Sequence, residues 1–334
     1  MRSESVRALL LGLVLAAGCK PSPHRPDAGP PWWKPAPGEA ADWDIQLAAT
    51  TAAPFNISAQ HAMYTFNLWD VVPAATTLDY GDGAPLMVPA GALPTAITDL
   101  HTRATPAMVV CHFGGGSIRL DDPDAKKFPG YAGGNPPNRP DPVAAGSVIG
   151  WSTTPTDANE RFIDIHPAAR TTVAALIDKR IELAKTIGCD AVAVKDTDLP
   201  AYQSASDIGH GFAFVQLGEY LGWTEELSTR AHELILSIGV RNKSPLGADS
   251  LAATYDWTMV DRCAERFLAD CGGARPFLNL RKATFAIEYD KTEDGDPNDA
   301  SALATLCGDL QRAGIESGIV KSAALDSAYY MRCM

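Results

Sequence analysis

Polar side chains follow several apolar runs of this sequence, at the points where buried strands would end. These positions are Trp69-Asp70, His112, Lys195-Asp196, Arg241-Asn242, Asp261, Glu288 and Lys321. Groups of this kind are costly to bury without partners, and carboxyl groups among them can act as general acid, general base or nucleophile. If the strands are parallel, their ends meet at one edge of the sheet, and these side chains would define one cleft.

Aromatic side chains could give this cleft flat apolar surfaces. Rings of this kind stack well on sugar rings, although packing in the core is the more common role for them. The candidates are Trp32, Trp33, Trp43, Tyr64, Trp69 and Trp151.

The elements that must position these groups alternate along the chain between short strands and helices. Apolar runs predict eight strands, near Trp43 to Leu47, Met63 to Trp69, Ala107 to Phe113, Asp190 to Val194, Ile238 to Val240, Trp257 to Val260, Ala283 to Ile287 and Gly318 to Val320. Parallel strands that alternate with helices over about 290 residues are typical of a single-domain α/β protein with a (β/α)8 TIM barrel. A doubly wound open sheet is the alternative, but no Gly-x-Gly-x-x-Gly motif follows the first strand.

Two helices are predicted with particular clarity. The first begins at Pro167, carries apolar residues at helical spacing and ends before Gly188. The second covers about Phe214 to Leu236.

The composition indicates a globular protein and excludes several classes of function. Of 334 residues, 46% are apolar, which is too many for a disordered chain. The chain has 28 basic and 40 acidic residues, a net charge of −12 and no dense Lys/Arg cluster, so we do not expect a nucleic acid as partner. No apolar run is long enough for a transmembrane helix.

The N-terminus predicts export. Arg2 and Arg7 precede a short apolar run from Ala8 to Ala17, and Gly18-Cys19 follows. We interpret residues 1–18 as a lipoprotein signal peptide, Cys19 as the lipidated residue, 19–37 as a proline-rich tether and 38–334 as the barrel. The protein would then be anchored through its lipid to a bacterial membrane or the cell envelope. An ordinary signal peptide with an incidental cysteine is the alternative.

The remaining six cysteines favour disulfides, because an exported protein reaches an oxidising compartment. Cys263 is expected to pair with Cys271, eight residues on, and Cys307 with Cys333 in the C-terminal region. Cys111 and Cys189 could form a third pair or remain two buried thiols. No Cys-x-x-Cys or His-Glu-x-x-His motif is present, so we expect no metal site. We also expect no cofactor, and we expect the protein to be a monomer.

An ordered set of motifs resembles glycoside-hydrolase family 114, the endo-α-1,4-polygalactosaminidase type. The set comprises Pro31-Trp32-Trp33-Lys34-Pro35, Trp43-Asp44-Ile45-Gln46-Leu47, Val110-Cys111-His112-Phe113 with its Gly-Gly-Gly-Ser continuation, Pro123 to Pro129, Glu160-Arg161-Phe162-Ile163-Asp164-Ile165, Gly188-Cys189-Asp190, Ile287-Glu288-Tyr289 and Gly318-Ile319-Val320-Lys321. The resemblance spans about Pro31 to Cys333. It implies a TIM barrel that cleaves α-1,4-linked galactosamine polymers by a retaining two-carboxylate mechanism, secreted or lipid-anchored in bacteria.

The sequence departs from the family where the chemistry is expected. At the end of the fourth strand, an ungapped comparison puts Ala193 in place of the usual glutamate and Lys195 in place of the nucleophilic aspartate. Asp196 could replace that aspartate only if the strand end slips by one residue, which would change the face on which its side chain lies. At the sixth strand, Asp261 stands where the acid/base glutamate is expected.

We therefore expect Asp196 and Asp261 to form the catalytic pair, with Glu288 as the reserve carboxylate. Retaining hydrolysis requires two carboxyl groups roughly 5 Å apart. The expected substrate-binding residues are Trp33, Trp69, Asp70, His112, Lys195, Asn242 and Lys321. The alternative is an inactive barrel that binds carbohydrate at the cell surface, and a different sugar or a peptide substrate also stays open, because one fold hosts many functions.

Overall fold

A sheet of eight parallel strands forms the centre of the molecule. The structure is a computed structural model, and it describes residues 31–39, 41–131, 143–154, 157–197, 203–204, 207–208, 210–241, 247–266 and 271–333. The strands are β1 (Trp43–Gln46), β2 (Met63–Asn67), β3 (Met108–Gly114), β4 (Ala191–Lys195), β5 (Ser237–Arg241), β6 (Trp257–Asp261), β7 (Thr284–Tyr289) and β8 (Ser317–Lys321). They pair in sequence order, and the strand Tyr330–Arg332 adds to β8 in antiparallel direction.

The sheet curls until its first and last parallel strands meet, so that it forms a nearly closed barrel. The indole nitrogen of Trp43 in β1 donates to the carbonyl oxygen of Ser317 in β8 over 3.0 Å. Further along the same two strands, Lys321 Nζ donates to Asp44 Oδ1 over 2.7 Å. These contacts join the two ends of the sheet through side chains.

Helices connect the strands from β2 onward, as a TIM barrel requires. They are α1 (Ala96–His101), α2 (Pro167–Ile187), α3 (Leu217–Glu233), α4 (Ala248–Thr254), α5 (Arg275–Asn279) and α6 (Ala300–Arg312). Smaller strands lie in the connections after β2, β3 and β4: Thr76–Leu78 with Leu86–Val88, then Ser117–Arg119, Ile149–Thr154 and Asp157–Ile163, and finally Gln203–Ser204 with Asp207–Ile208. Within the described ranges, no helix is both long enough and apolar enough to cross a membrane.

Alternating side chains of the barrel strands divide between two cores. One set fills the barrel interior, including Ile45, Val110, Ala193, Met259 and Ile287. The residues between them point outward and pack against the helices. This period of two fixes which strand-end residues face the barrel mouth.

Helix α2 shows how the sequence sets the bounds of an element. Pro167 occupies the first turn, where its missing N–H costs nothing, and Gly188 ends the helix in a left-handed conformation with φ of 97°. The second predicted helix is shorter than expected. It begins after Gln216, which forms a capping box with Glu219, and ends at Glu233.

The predicted fold and disulfides are confirmed. All eight predicted strands are present in one parallel sheet. Cys263 pairs with Cys271 and Cys307 with Cys333. The question about the remaining two cysteines is settled, because Cys111 in β3 is bonded to Cys189, just before β4.

Candidate active site

A cleft of about 460 Å³ opens where the parallel strands end. Its walls come from several βα connections, and the floor comes from the last residues of the strands. The lining residues are Leu47, Ala48, Ala49, Phe55, Asn67, Trp69, Asp70, Ala92, His112, Phe113, Gly114, Ser117, Arg119, Asp121, Asp122, Glu160 and Lys195. Four of the predicted binding residues therefore line one cleft: Trp69, Asp70, His112 and Lys195.

Strand β2 ends early, and this brings an aromatic ring and a carboxyl group into the cleft. Asn67 Oδ1 accepts a hydrogen bond of 3.0 Å from the backbone N–H of Trp69, which starts a short 3₁₀ turn. Trp69 and Asp70 lie in this turn instead of continuing the strand. Behind the indole, the guanidinium of the buried Arg180 lies 5.4 Å from the centre of a Trp69 ring.

His112 lies on the floor of the cleft as a neutral imidazole. It is almost fully buried, and its Nε2 atom has no hydrogen-bond partner within the described ranges. Burial, together with the positive charges of Arg241 and Lys195, lowers the pKa of His112 well below its usual value. The ring can therefore accept or donate a hydrogen bond to a ligand without carrying charge.

Two carboxyl groups meet through one serine at the end of β4. Ser117 Oγ lies 2.8 Å from Asp196 Oδ2 and 3.1 Å from Glu160 Oε1. Because both distances share that oxygen, the two carboxylate oxygens are at most about 6 Å apart, a separation compatible with the ~5 Å of retaining glycosidases. Lys195 Nζ contacts Glu160 Oε1 and lies 3.3 Å from Asp196 Oδ2.

The backbone explains how Asp196 reaches this pair without a bulge in the strand. Lys195 keeps the regular pairing of β4 with both neighbours, and its carbonyl oxygen accepts hydrogen bonds from Gly115 and Gly116. The next residue, Asp196, takes a left-handed conformation with φ of 55°. Such a backbone is strained for aspartate, by about 1 kcal/mol or more. The hydrogen bond from Ser117 and the charge of Lys195 offset that strain and hold the carboxylate in place.

The environments of the two carboxyl groups push their pKa values apart. Burial, reinforced by the negative charge of Asp196, raises the pKa of Glu160. Burial acts in the same direction on Asp196, but the Lys195 charge and the Ser117 hydrogen bond outweigh it and hold the pKa of Asp196 below its usual value. Of the two groups, Glu160 therefore binds a proton more readily and Asp196 loses one more readily, which is the direction of pKa separation that acid–base catalysis requires.

Asp261 is engaged in a different set of contacts. Its two carboxylate oxygens accept hydrogen bonds of 2.8 and 2.9 Å from Nε and Nη2 of Arg241. The hydroxyl of Tyr289 donates a third hydrogen bond of 3.0 Å. Burial and the adjacent carboxylate raise the pKa of Tyr289, so this hydroxyl keeps its proton. A carboxylate held by a bidentate guanidinium is stabilised in its ionised form and is poorly suited to donate a proton.

Glu288 lies on the opposite face of its strand from the barrel interior. Its neighbours Ile287 and Tyr289 belong to the interior core, whereas Glu288 Oε1 accepts the backbone N–H of Ala264 behind the sheet over 2.7 Å. Burial raises the pKa of Glu288 to about 7. The structure therefore does not bring Glu288 to the cleft or to the Asp196 carboxylate, because the two-residue period of β7 directs it outward.

Three more predicted site residues lie away from the cleft or outside the described ranges. Trp33 packs against Trp257, the first residue of β6, so it lies at the amino end of the barrel. Lys321 is fully buried in its ion pair with Asp44. Asn242 lies outside the described residues.

Glu160 is the residue of the carboxyl pair that the strand-end reasoning did not select. It lies in the antiparallel strand Asp157–Ile163, within the connection between β3 and β4, and not at the end of a barrel strand. The one sequence feature that points to Glu160 is its place in the family-like motif Glu160-Arg161-Phe162-Ile163. In the described part of the chain, no cluster of three or more His, Cys, Asp or Glu side chains could hold a metal ion.

Comparisons with known proteins agree with this scaffold. The crystal structure of Aspergillus fumigatus Ega3 in complex with galactosamine superposes with a TM-score of 0.64 at 22% identity, covering 90% of this chain and 97% of Ega3. The old yellow enzyme homologue from Zymomonas mobilis matches less well, with a TM-score of 0.43 at 9% identity over 86% of this chain and 87% of that protein. No curated protein is significantly similar in sequence.

The parallel barrel with a carboxyl-lined cleft at its carboxyl end defines the fold as a TIM barrel. The family model of glycoside-hydrolase family GH114 matches residues 22–334. The chain therefore belongs to glycoside-hydrolase family GH114, as the sequence motifs indicated.

Proposed function

We propose that this protein hydrolyses α-1,4-linked galactosamine polysaccharides by a retaining mechanism, with Asp196 as nucleophile and Glu160 as acid/base. The observation that carries the proposal is the pair of carboxyl groups that Ser117 joins at the barrel mouth. Galactosamine bound to the solved Ega3 supports the choice of sugar. The net charge of −12 suits a cationic polymer.

Each residue of the cluster has a distinct part in the two steps. Asp196 attacks the anomeric carbon and forms a glycosyl ester, while protonated Glu160 donates its proton to the departing glycosidic oxygen. Ionised Glu160 then removes a proton from water, the water oxygen replaces Asp196 at the anomeric carbon, and both carboxyl groups return to their first state. Lys195 keeps Asp196 ionised between turnovers, because its ammonium lies 3.3 Å from that carboxylate.

The serine supports the assignment of the proton. A hydroxyl group has one hydrogen to donate, yet Ser117 Oγ lies within hydrogen-bond distance of two carboxyl groups. Both contacts become hydrogen bonds when the Ser117 hydroxyl donates to Asp196 and a protonated Glu160 donates to the Ser117 oxygen. This is the protonation state from which the first step starts.

A second candidate function, carbohydrate binding without hydrolysis, is favoured by one observation. Lys195 contacts both carboxyl groups of the pair, and Arg241 holds Asp261 with two hydrogen bonds. Cations thus engage each of these carboxylates. Under this second candidate function, the protein binds the polymer in the cleft and does not hydrolyse it.

The test is release of reducing ends from de-N-acetylated α-1,4-galactosamine polymer. We expect Asp196→Asn and Glu160→Gln each to lower kcat by about a hundredfold or more. Glu288→Gln is the matched control, since it neutralises a buried carboxyl on the other face of the sheet, and it should retain activity. The anomer formed first, read by NMR, checks retention. Binding of the polymer without cleavage by the unaltered protein would establish the second candidate and refute the first.

We further propose that the protein is exported and anchored through a lipid on Cys19. Cys19, the signal peptide at 1–18 and residues 19–30 of the tether lie outside the described residues, so support for the anchor comes from elsewhere. The three disulfides support export, because such bonds persist in oxidising compartments. Expression in a bacterial host, followed by membrane fractionation and mass spectrometry of the N-terminal peptide, tests this. Cys19→Ser should move the protein from the membrane fraction to the soluble one, and an unmodified N-terminus would refute the anchor.

A further inference from the structure

Among the described residues, Asp70 is the carboxylate of the cleft that has no cation beside it. Asp121 is paired with Arg119 over 3.0 Å, and Asp122 with Arg180 over 3.0 Å. Glu160 is paired with Lys195. The carboxyl group of Asp70 has neither a hydrogen bond nor an ion pair with any residue that the structure describes, although it lines the same cleft.

The backbone of Asp70 is fixed even though its side chain is unpaired. Its carbonyl oxygen accepts the N–H of Leu93 over 2.7 Å. Gly91 packs so closely on this turn that a β-carbon there would lie 2.3 Å from the same oxygen. The preceding residue, Trp69, is held by the hydrogen bond from its N–H to Asn67. A side chain on such a rigid turn is preorganised for a ligand.

The electrostatic state of Asp70 is that of an anion that lacks its counter-ion. Burial raises the pKa of this carboxyl group to about 6, and no charge or hydrogen bond from the described part of the chain opposes it. A cation placed beside Asp70 would recover the interaction energy that the carboxylate lost on leaving water. The indole of Trp69 on the same turn supplies a flat apolar surface of the kind on which sugar rings stack.

We propose that Asp70 binds the free ammonium group of a hexosamine unit of the substrate and thereby selects de-N-acetylated over N-acetylated polymer. The inference rests on the proposed function, since it assigns the determinant of amine recognition in the same cleft. An ammonium group offers three N–H donors and a full charge to the carboxylate. An acetamido group offers one neutral N–H and a bulky acyl group, and it leaves the Asp70 charge uncompensated.

Calorimetric titration with two defined probes tests the proposal independently of cleavage. The probes are a tetramer of α-1,4-linked galactosamine and its fully N-acetylated counterpart. For the unaltered protein we expect at least tenfold tighter binding of the amine form. Asp70→Asn, nearly identical in shape, should weaken binding of the amine form at least tenfold and change binding of the acetylated form less than twofold. The matched variant Asp121→Asn removes the same charge from the same cleft, and because that charge is already paired it should weaken binding less than threefold.

The outcomes separate this inference from the proposed function. Equal losses for both tetramers, no loss in Asp70→Asn, or an equal loss in Asp121→Asn would overturn the role of Asp70, even if the protein cleaves the polymer. Selective loss in Asp70→Asn establishes it, even if no reducing ends are released and the hydrolase proposal fails. Binding of neither tetramer by the unaltered protein would overturn both.

Discussion

The Asp261–Arg241 pair allows a sharp distinction between a catalytic and a structural carboxylate. Two hydrogen bonds of 2.8 and 2.9 Å join the groups, and their side chains are only 6% and 12% exposed. Asp261→Asn would leave the guanidinium buried without a counter-charge, a change that costs about 3–5 kcal/mol in buried pairs. Since the pair has some access to solvent, we expect a loss of about 3 kcal/mol in the free energy of unfolding. In a barrel of about 300 residues, this corresponds to a fall of about 5 °C in Tm.

The assay is denaturant and thermal unfolding with the disulfides intact, measured together with polymer cleavage. The control is Asp121→Asn, whose exposed pair with Arg119 should contribute less than about 1 kcal/mol. The double variant Arg241→Met/Asp261→Leu should recover part of the loss, because it removes both charges together. A stability change under about 1 kcal/mol in Asp261→Asn, combined with a loss of kcat as large as that of Asp196→Asn, would refute this reasoning and make Asp261 the catalytic acid.

Two further predictions concern stability. Burial raises the pKa of Glu288 from 4.5 to about 7. The folded state is therefore most stable, as far as this group is concerned, below pH 4.5, where Glu288 is protonated in both states. Stability falls as the pH rises to about 7, because the unfolded chain then loses this proton more readily than the folded chain. Glu288→Gln should therefore remove a decline of about 3 kcal/mol over that range, and an unchanged pH profile of unfolding would contradict it. The Cys111–Cys189 bond closes a span of 78 residues and the Cys263–Cys271 bond a span of 8. Replacing both cysteines by serine should lower the free energy of unfolding by about 4.5 kcal/mol for the Cys111–Cys189 bond and by about 2.5 kcal/mol for the Cys263–Cys271 bond. A larger loss for the shorter span would contradict the argument from chain entropy.

The fold could be predicted because each of its elements carries a local pattern. The alternation of apolar residues in a strand such as β2 and the proline and glycine that bound α2 depend only on neighbouring residues. Cys263 and Cys271 are close in the chain, so their pairing could also be predicted from the sequence. By contrast, Cys111 and Cys189 are 78 residues apart, and only the pairing of β3 with β4 brings them together.

The candidate site could be predicted only in part, because it depends on the direction of side chains at strand ends. Asp70 and His112 were expected in the cleft and line it. Glu288 was selected by its position in the sequence alone, and the two-residue period of β7 turns it to the other face. The location of Glu160 depends on how the long connection after β3 folds back onto the barrel mouth. The positions of the strand ends in the sequence do not predict this fold.

The sequence by itself determined the barrel and its family, since these follow from residue types and their order. Only the tertiary structure decided which carboxyl groups are partners. The left-handed backbone at Asp196 turns its carboxylate toward Ser117, where Glu160 arrives from a separate strand. It also decided that Arg241 holds Asp261, while the Asp70 carboxyl group has no partner among the residues that the structure describes. Hydrogen bonds and ion pairs form over about 3 Å, often between groups that are tens of residues apart in the sequence, so their choice of partner is a property of the folded chain.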